Sequence, residues 1–183
     1  AGENYKDVDD PSIVVALELE EDPKTSLLVW TTTPWTLVSN LAVVAHPEVE
    51  YVVLERDHKR FIIAESRVAA VLKEYEAFEK VGRLKGKELA GKKYKPLFTN
   101  FIQMKEQGAF SVLLDEFVQM DEGTGLVHTA PGFGEVDFFV CKREGIPVVC
   151  PVDANGQFTD EVPAFEGRFV KDCDREIVRE LKE

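Results

Sequence analysis

Short apolar runs, most of them alternating with polar positions, recur along the chain and predict a protein built mainly of strands. Residues 13–19, 26–31, 41–45, 50–55 and 60–64 form one series, and 111–117 and 126–129 follow later. The stretch ERDHKR between 50–55 and 60–64 has the polarity of a hairpin connection, which makes His58 a loop residue. Helical periodicity is sparser. Residues 66–78 carry an apolar stripe of Val68, Val71, Leu72 and Tyr75. A second helix is expected to begin near Gly134 and run to Gly145, and the C-terminal CDREIVRELK is a third. VDANGQF reads as a turn centred on Asn155 and Gly156. No repeat, low-complexity segment or interior linker breaks the pattern, so a single domain is expected over residues 1–183. A mixed α/β chain of this kind points to a closed or strongly curved sheet with peripheral helices.

Two polar segments stand out against that pattern. WTTTPWTLVSN, residues 30–40, places a row of hydroxyls on a strand. Alternation puts Thr31 and Thr33 on one face and Trp30 and Thr32 on the other. Pro34 removes a ladder donor and holds Thr33 extended, so regular pairing should end there and aim side chains into a cleft. A Thr-rich edge strand is the plain alternative, but Trp35, Thr36 and Asn40 crowd in more shaped polar groups than an edge needs.

GTGLVHTAPGFGEVD, residues 123–137, reads as a glycine turn, a short strand with His128, a loop and a helix start. Glu135 and Asp137 fall in the first helical turn, where the macrodipole favours negative charge. That alone would account for Asp137, as core hydrogen bonding would for His128. The glycines do not make a dinucleotide fingerprint, because a strand rather than a helix follows them. Taken together, the two segments describe an uncharged hydrogen-bonding pocket holding one carboxylate. Such a pocket suits a small ammonium better than a phosphate or a metal.

Composition narrows the classes. No apolar run is long enough to span a membrane, and no secretory signal precedes the strands. The chain opens on Ala1, which fits a fragment of a larger protein. Cys141, Cys150 and Cys173 are odd in number and lack C-x-x-C spacing, so neither a disulfide framework nor a zinc site is indicated. Cys141, four residues beyond Asp137, reads as a buried, inert thiol in a reducing, cytoplasmic setting. A net charge of −12 argues against broad nucleic-acid contact. Residues 80–95, with Lys80, Arg83, Lys85, Lys87, Lys92, Lys93 and Lys95 against Glu88, are the local exception. They read as a solvated face first and a phosphate contact second.

The motifs WTTTPWTL.SNLAV..HP and GTG.VHTAPGFGEVDF resemble the inserted editing domain (connective polypeptide 1) of isoleucyl-tRNA synthetase. PSIVVALEL, LKGKELAGKKYKPLF and PVDANGQFTDEVPAFEGRFVKDCDREIVRELK extend the resemblance over nearly the whole chain. The related valyl and leucyl enzymes usually carry Arg-Pro-Glu-Thr where this chain has TPWT. Two positions depart from the family pattern. Val38 stands where proline is common, and Phe133 where many bacterial members have histidine and eukaryotic-type members often have phenylalanine.

The resemblance implies a β-barrel core and hydrolysis of the ester in Val-tRNA(Ile), and it admits valyl-adenylate as a second substrate. It implies no cofactor here, ATP being used elsewhere in the synthetase, since neither H-I-G-H nor K-M-S-K-S appears. The partners it implies are the tRNA(Ile) acceptor 3′ end carrying valine and the remainder of the synthetase, with the domain itself monomeric and not membrane-bound. By motif position, Asp137 would hold the substrate ammonium. Thr31, Thr32 and Thr33 would contact the terminal adenosine and place the water, and His128 would shape the side-chain pocket against isoleucine. Trp35 and Asn40 would serve as pocket wall and hydrogen-bonding support. A catalytically inactive acceptor-end binding insertion, or a structural module with a satisfied His and a capping Asp, are the competing readings.

Overall fold

The computed structural model describes residues 13–72, 75–121, 123–130, 132 and 135–181. Its strands are β1 (Ile13–Glu18), β2 (Thr25–Thr31), β3 (Ala42–Ala45), β4 (Glu50–Arg56), β5 (Lys59–Ala64), β6 (Glu79–Lys85), β7 (Ser111–Leu114) and β8 (Leu126–Thr129). The helices are α1 (Val68–Val71), α2 (Glu135–Arg143) and α3 (Asp174–Leu181).

β2 is the hub. Its TSLLVWT run is apolar on both faces because both are covered. Leu27 and Val29 enter the main core, while Leu28 joins Val52, Leu54 and Ile63 in a separate cluster. β1 pairs antiparallel along one edge of β2, from Ile13 opposite Thr31 to Glu18 opposite Ser26. The other edge is shared. Residues at its start take β5 in parallel, and Trp30 near its end takes Val127 of β8. β8 continues antiparallel onto β3, with Val43 opposite His128, and β3 runs parallel to β7.

Residues 92–95 bridge the remaining gap between β7 and β1. Lys93 pairs with Ser111, and Tyr94 with Leu19. The Val112 N–H donates to the Lys92 carbonyl at 2.9 Å, and Glu20 N–H to that of Lys93 at 2.9 Å. The sheet therefore curls into the barrel that the sequence resemblance implies, with β5, β4 and β6 as an antiparallel wing. The buried core on and beneath the sheet is aliphatic, with Leu41, Val43, Val44 and Leu126 among its fully buried side chains. Burying each such side chain contributes about 1.5–3 kcal/mol.

Several elements differ from the sequence expectation. Residues 66–78 are not one helix but the 3-10 turn Glu65–Arg67, the single turn α1, and a further 3-10 turn, Tyr75–Ala77. Leu72 is already extended (φ −98°, ψ 118°). The stripe still works, because Val68, Val71 and Leu72 pack on the Leu28 cluster from that short turn. β6 was unexpected: its EKVGRLK looks like a charged connection, yet β4 pairs along it, with a bulge between Val53 and Leu54. The strand expected over 111–117 ends at Leu114. The expected start of α2 at Gly134, and Phe133 beside it, lie outside the described residues. α2 stops at Arg143, before Gly145 takes a left-handed φ of +77°.

The basic stretch is largely neutralised. Lys80 and Arg83 both reach Glu65, at 2.8 and 2.7 Å, and Lys92 reaches Glu21 at 2.8 Å. Lys85 and Lys95 lie 3.8 Å from Glu48 and Glu18. This is a solvated, mixed-charge face rather than a bare cationic one.

Candidate functional site

At the end of β2 the chain turns where the proline requires it. Pro34–Ser39 forms a 3-10 helix with Pro34 in its first turn, where a missing N–H costs nothing. No side chain of the segment itself caps this turn. Asp174, from the start of α3, supplies the acceptor: its Oδ1 takes the Trp35 N–H at 2.9 Å. Val38 is buried against Phe158, Val162, Phe165 and Ile177. The valine thus anchors the turn to the C-terminal cluster.

The turn gathers the hydroxyls. Thr31 Oγ1 accepts the Thr33 N–H at 3.1 Å and lies 3.4 Å from Thr33 Oγ1, on the shared side that strand alternation predicts. Thr33 Oγ1 is 3.0 Å from Thr36 Oγ1, which in turn donates to the Thr33 carbonyl at 2.8 Å. Thr32 is exposed.

His128 projects from β8 into this row. Its Nε2 lies 2.8 Å from Thr36 Oγ1, and its Nδ1 lies 2.7 Å from the Asn40 side-chain nitrogen. Both ring nitrogens are occupied, and desolvation pushes the imidazole pKa down to about 4. A neutral ring with both nitrogens engaged is a wall and a hydrogen-bonding fixture rather than a free base.

Asp137, on the first turns of α2, reaches back across the loop. Its Oδ2 accepts the Ala130 N–H at 3.0 Å, tying the helix to the end of β8. Burial raises its pKa above the ordinary carboxylate value, partly offset by that N–H. Cys141, one turn further on, is fully buried, and burial pushes its thiol up to about 12, as an inert thiol requires.

These residues open onto a cavity of about 390 Å³, lined by Trp30, Thr31, Thr32, Thr33, Thr36, His128 and Asp137 among others. That volume lies within the range of small-molecule sites. The loop residues Phe117, Val118, Gln119, Asp121 and Gly123 to Gly125 line the cavity too, and Asp121 adds a second carboxylate. Among the described residues, no lysine or arginine lines the cavity. The loop is tied down at its far end. Thr124 Oγ1 donates to the Leu28 carbonyl at 2.7 Å, Tyr51 OH to Gly125 O at 2.5 Å, and Arg67 Nε to Gly123 O at 2.8 Å.

Of the residues singled out in sequence, Thr31, Thr32, Thr33, His128 and Asp137 share the cavity. Asn40 sits behind His128 rather than on the cavity wall, and Trp35 packs against the C-terminal cluster. Sequence reasoning missed Tyr94, Asp121 and Asp174. A lone aromatic among lysines in GKKYK was the available signal for Tyr94, and the first acid of the DEGTG run was the signal for Asp121.

No family model matches the chain. The cytoplasmic isoleucine–tRNA ligase of Mus musculus is 51% identical over 191 residues that take in the whole chain. The isoleucine–tRNA ligase of Protochlamydia amoebophila is 47% identical, again across the whole chain. The chain belongs to the isoleucyl-tRNA synthetase family. It spans 15% and 18% of the lengths of those two relatives.

Among solved structures, a leucyl-tRNA synthetase CP1 domain described as GlLeuRS-CP1 superposes with a TM-score of 0.69 at 16% identity. That match covers 94% of this chain and 95% of the other. The P. knowlesi cytosolic leucyl-tRNA synthetase editing domain gives 0.66 at 12% identity, covering 92% and 91%. This isoleucyl-synthetase segment therefore has the fold of synthetase editing domains.

Proposed function

We propose that the cavity hydrolyses the aminoacyl ester of Val-tRNA(Ile), and valyl-adenylate with it, as the second sieve of an isoleucyl-tRNA synthetase. The observation that carries this reading is one cavity that combines a carboxylate, a hydroxyl row and a neutral histidine hydrogen-bonded at both nitrogens. An aminoacyl ester needs little more. It is already activated, so a placed water and a stabilised oxyanion suffice.

Asp137 receives the substrate's α-ammonium: a carboxylate has several acceptor positions, and the Ala130 N–H uses one. Thr31, Thr32 and Thr33 contact the terminal adenosine and position the water. His128 closes the side-chain end of the pocket. The need for a second sieve is energetic, since one missing methylene is worth only about 1–3 kcal/mol in an apolar pocket, isoleucine against valine at this very synthetase being the reference case. The acidic surface fits a substrate that enters by its single-stranded acceptor end, with the rest of the tRNA held by the remainder of the synthetase. Isoleucine activation with ATP belongs to that remainder too.

The test is the deacylation rate of Val-tRNA(Ile) against Ile-tRNA(Ile) for this chain and for Asp137→Ala. Valine-selective hydrolysis that falls by about a hundredfold or more in the variant is expected, the scale of losing a substrate-positioning contact. A stable valyl-adenosine analogue is titrated in parallel. A folded chain that neither hydrolyses the ester nor binds the analogue overturns the reading. Binding without hydrolysis, also in the full-length synthetase, would make it an inactive acceptor-end binding insertion.

A further inference from the structure

We infer that Tyr94 is a positioning residue of this site: together with the Ala42 carbonyl, its phenol holds the Asn40 amide in the one orientation that fixes His128 as the neutral Nε2–H tautomer and sets the direction of the hydroxyl row. The inference rests on the proposed editing role only for its effect on substrate discrimination.

The direction follows from one atom that can only accept. The Asn40 side-chain amide lies 2.9 Å from the Ala42 carbonyl, so the group facing that carbonyl is the NH2. The amide oxygen then faces Tyr94, whose hydroxyl donates to it. Tyr94 is fully buried, and burial holds its phenol protonated far above neutral pH. With both edges satisfied, the amide has a single orientation.

The same NH2 meets His128 Nδ1 at 2.7 Å, so that nitrogen must be bare and the ring proton must sit on Nε2. Nε2–H donates to Thr36 Oγ1. The single hydroxyl proton of Thr36 is committed to the Thr33 carbonyl, so Thr36 Oγ1 can only accept from Thr33 as well. Thr33 therefore spends its own proton inward and meets a water in the cavity as an acceptor. A water held by one of its protons presents a lone pair elsewhere, which is the orientation that attack on an ester needs. Protonating His128 on Nδ1 would set two donors face to face, so the network resists it.

Tyr94 does this from the ribbon that bridges the barrel. Its backbone N–H donates to Phe110 O at 3.0 Å, and its ring meets Phe110 edge-on at 6.2 Å. Removing the hydroxyl alone leaves these contacts in place, so Tyr94→Phe separates packing from positioning.

The experiment reads the imidazole nitrogens of this chain by ¹H–¹⁵N correlation at pH 7, with His128 assigned by His128→Gln. A single Nε2–H tautomer is expected in the parent chain. Tyr94→Phe leaves the Asn40 amide held by the Ala42 carbonyl alone, free to swing off Nδ1, and should show a mixture of both tautomers while its amide spectrum stays native. It should also lose about five- to tenfold of the preference for the valyl- over the isoleucyl-adenosine analogue, the scale of one buried hydrogen bond. An Nδ1–H ring in the parent chain, or an unchanged tautomer in a folded Tyr94→Phe, overturns the inference. Should Tyr94→Phe not fold, 3-fluorotyrosine at position 94 donates more strongly in nearly the same volume and must move the His128 nitrogen shifts; unmoved shifts overturn it. The tautomer is read with no substrate present, so an inactive chain with the expected ring state would sink the editing proposal and leave this assignment standing. Intact discrimination in a tautomer-scrambled variant would overturn the functional half.

Discussion

Acidification should destabilise this chain through His128 in a window that the structure defines. The ring's pKa falls from an ordinary value near 6.5 to about 4 in the folded state. The unfolded chain therefore binds more protons than the folded one between those values, and stability rises with pH across them. The contribution is fully present above pH 6.5 and is lost as pH falls towards 4. At pH 4.5 the full shift would correspond to about 2.5 kcal/mol lost relative to pH 7.5. The ring is only half-buried by surface exposure, since one edge looks into the cavity. Solvent there reduces the expected loss to about 1–2 kcal/mol. Asp137 shares the cavity and acts with opposite sign, because its raised pKa makes the folded state hold a proton more tightly as pH drops. The difference between the parent chain and His128→Gln cancels this and every other shared carboxylate. Urea unfolding of both proteins at pH 7.5, 6.5, 5.5 and 4.5 gives that difference directly. The curves should converge as pH falls, the parent losing more stability than the variant. Curves that stay parallel over the whole range would refute the account of a neutral, network-locked ring.

Two further substitutions probe what holds the cavity in shape. Gly125→Ala places a Cβ 2.5 Å from that of Ala64, at a position with φ +84°, and should cost about 2–4 kcal/mol in urea unfolding. A cost below about 0.5 kcal/mol would show that the loop can shift away from β5. Asp174→Ala removes the acceptor for the Trp35 N–H and should cost about 1.5–3 kcal/mol. It should also weaken valyl-adenosine binding, although position 174 does not line the cavity; binding that survives unchanged would show that the 3-10 turn holds without its cap.

How much of this was legible in the sequence depended on how far away each partner lies. β2, β3 and β8 announce themselves because their alternation and β-branched content are local properties. The hydroxyl row was legible for the same reason: Pro34 dictates where pairing stops, and Thr31, Thr33 and Thr36 then meet through bonds spanning two or three residues. Tyr94 reaches Asn40 across 54 positions, and Asp174 reaches Trp35 across 139. No local pattern records such pairs. β6 was hidden differently. Its apolar content is thin, and it exists because β4 offers an edge, so tertiary pairing overrides propensity there. The helix expected over residues 66–78 failed on length, since three of its four stripe positions, Val68, Val71 and Leu72, are satisfied equally by one turn.

The bridging ribbon carries a consequence for how the molecule assembles. Residue 94 must find residue 19, and residue 93 must find residue 111, before the barrel has its last seam. Both searches close long loops of chain, which delays their formation relative to local hairpins such as β4–β5. Tyr94 arrives only with that seam, and Asn40 receives its phenol only then. A collapsed chain with most of its strands paired would thus hold every residue of the pocket and still lack a settled proton on His128. The last stage of folding and the completion of the site are one event, so recovery of the single His128 tautomer during refolding should lag recovery of β-structure.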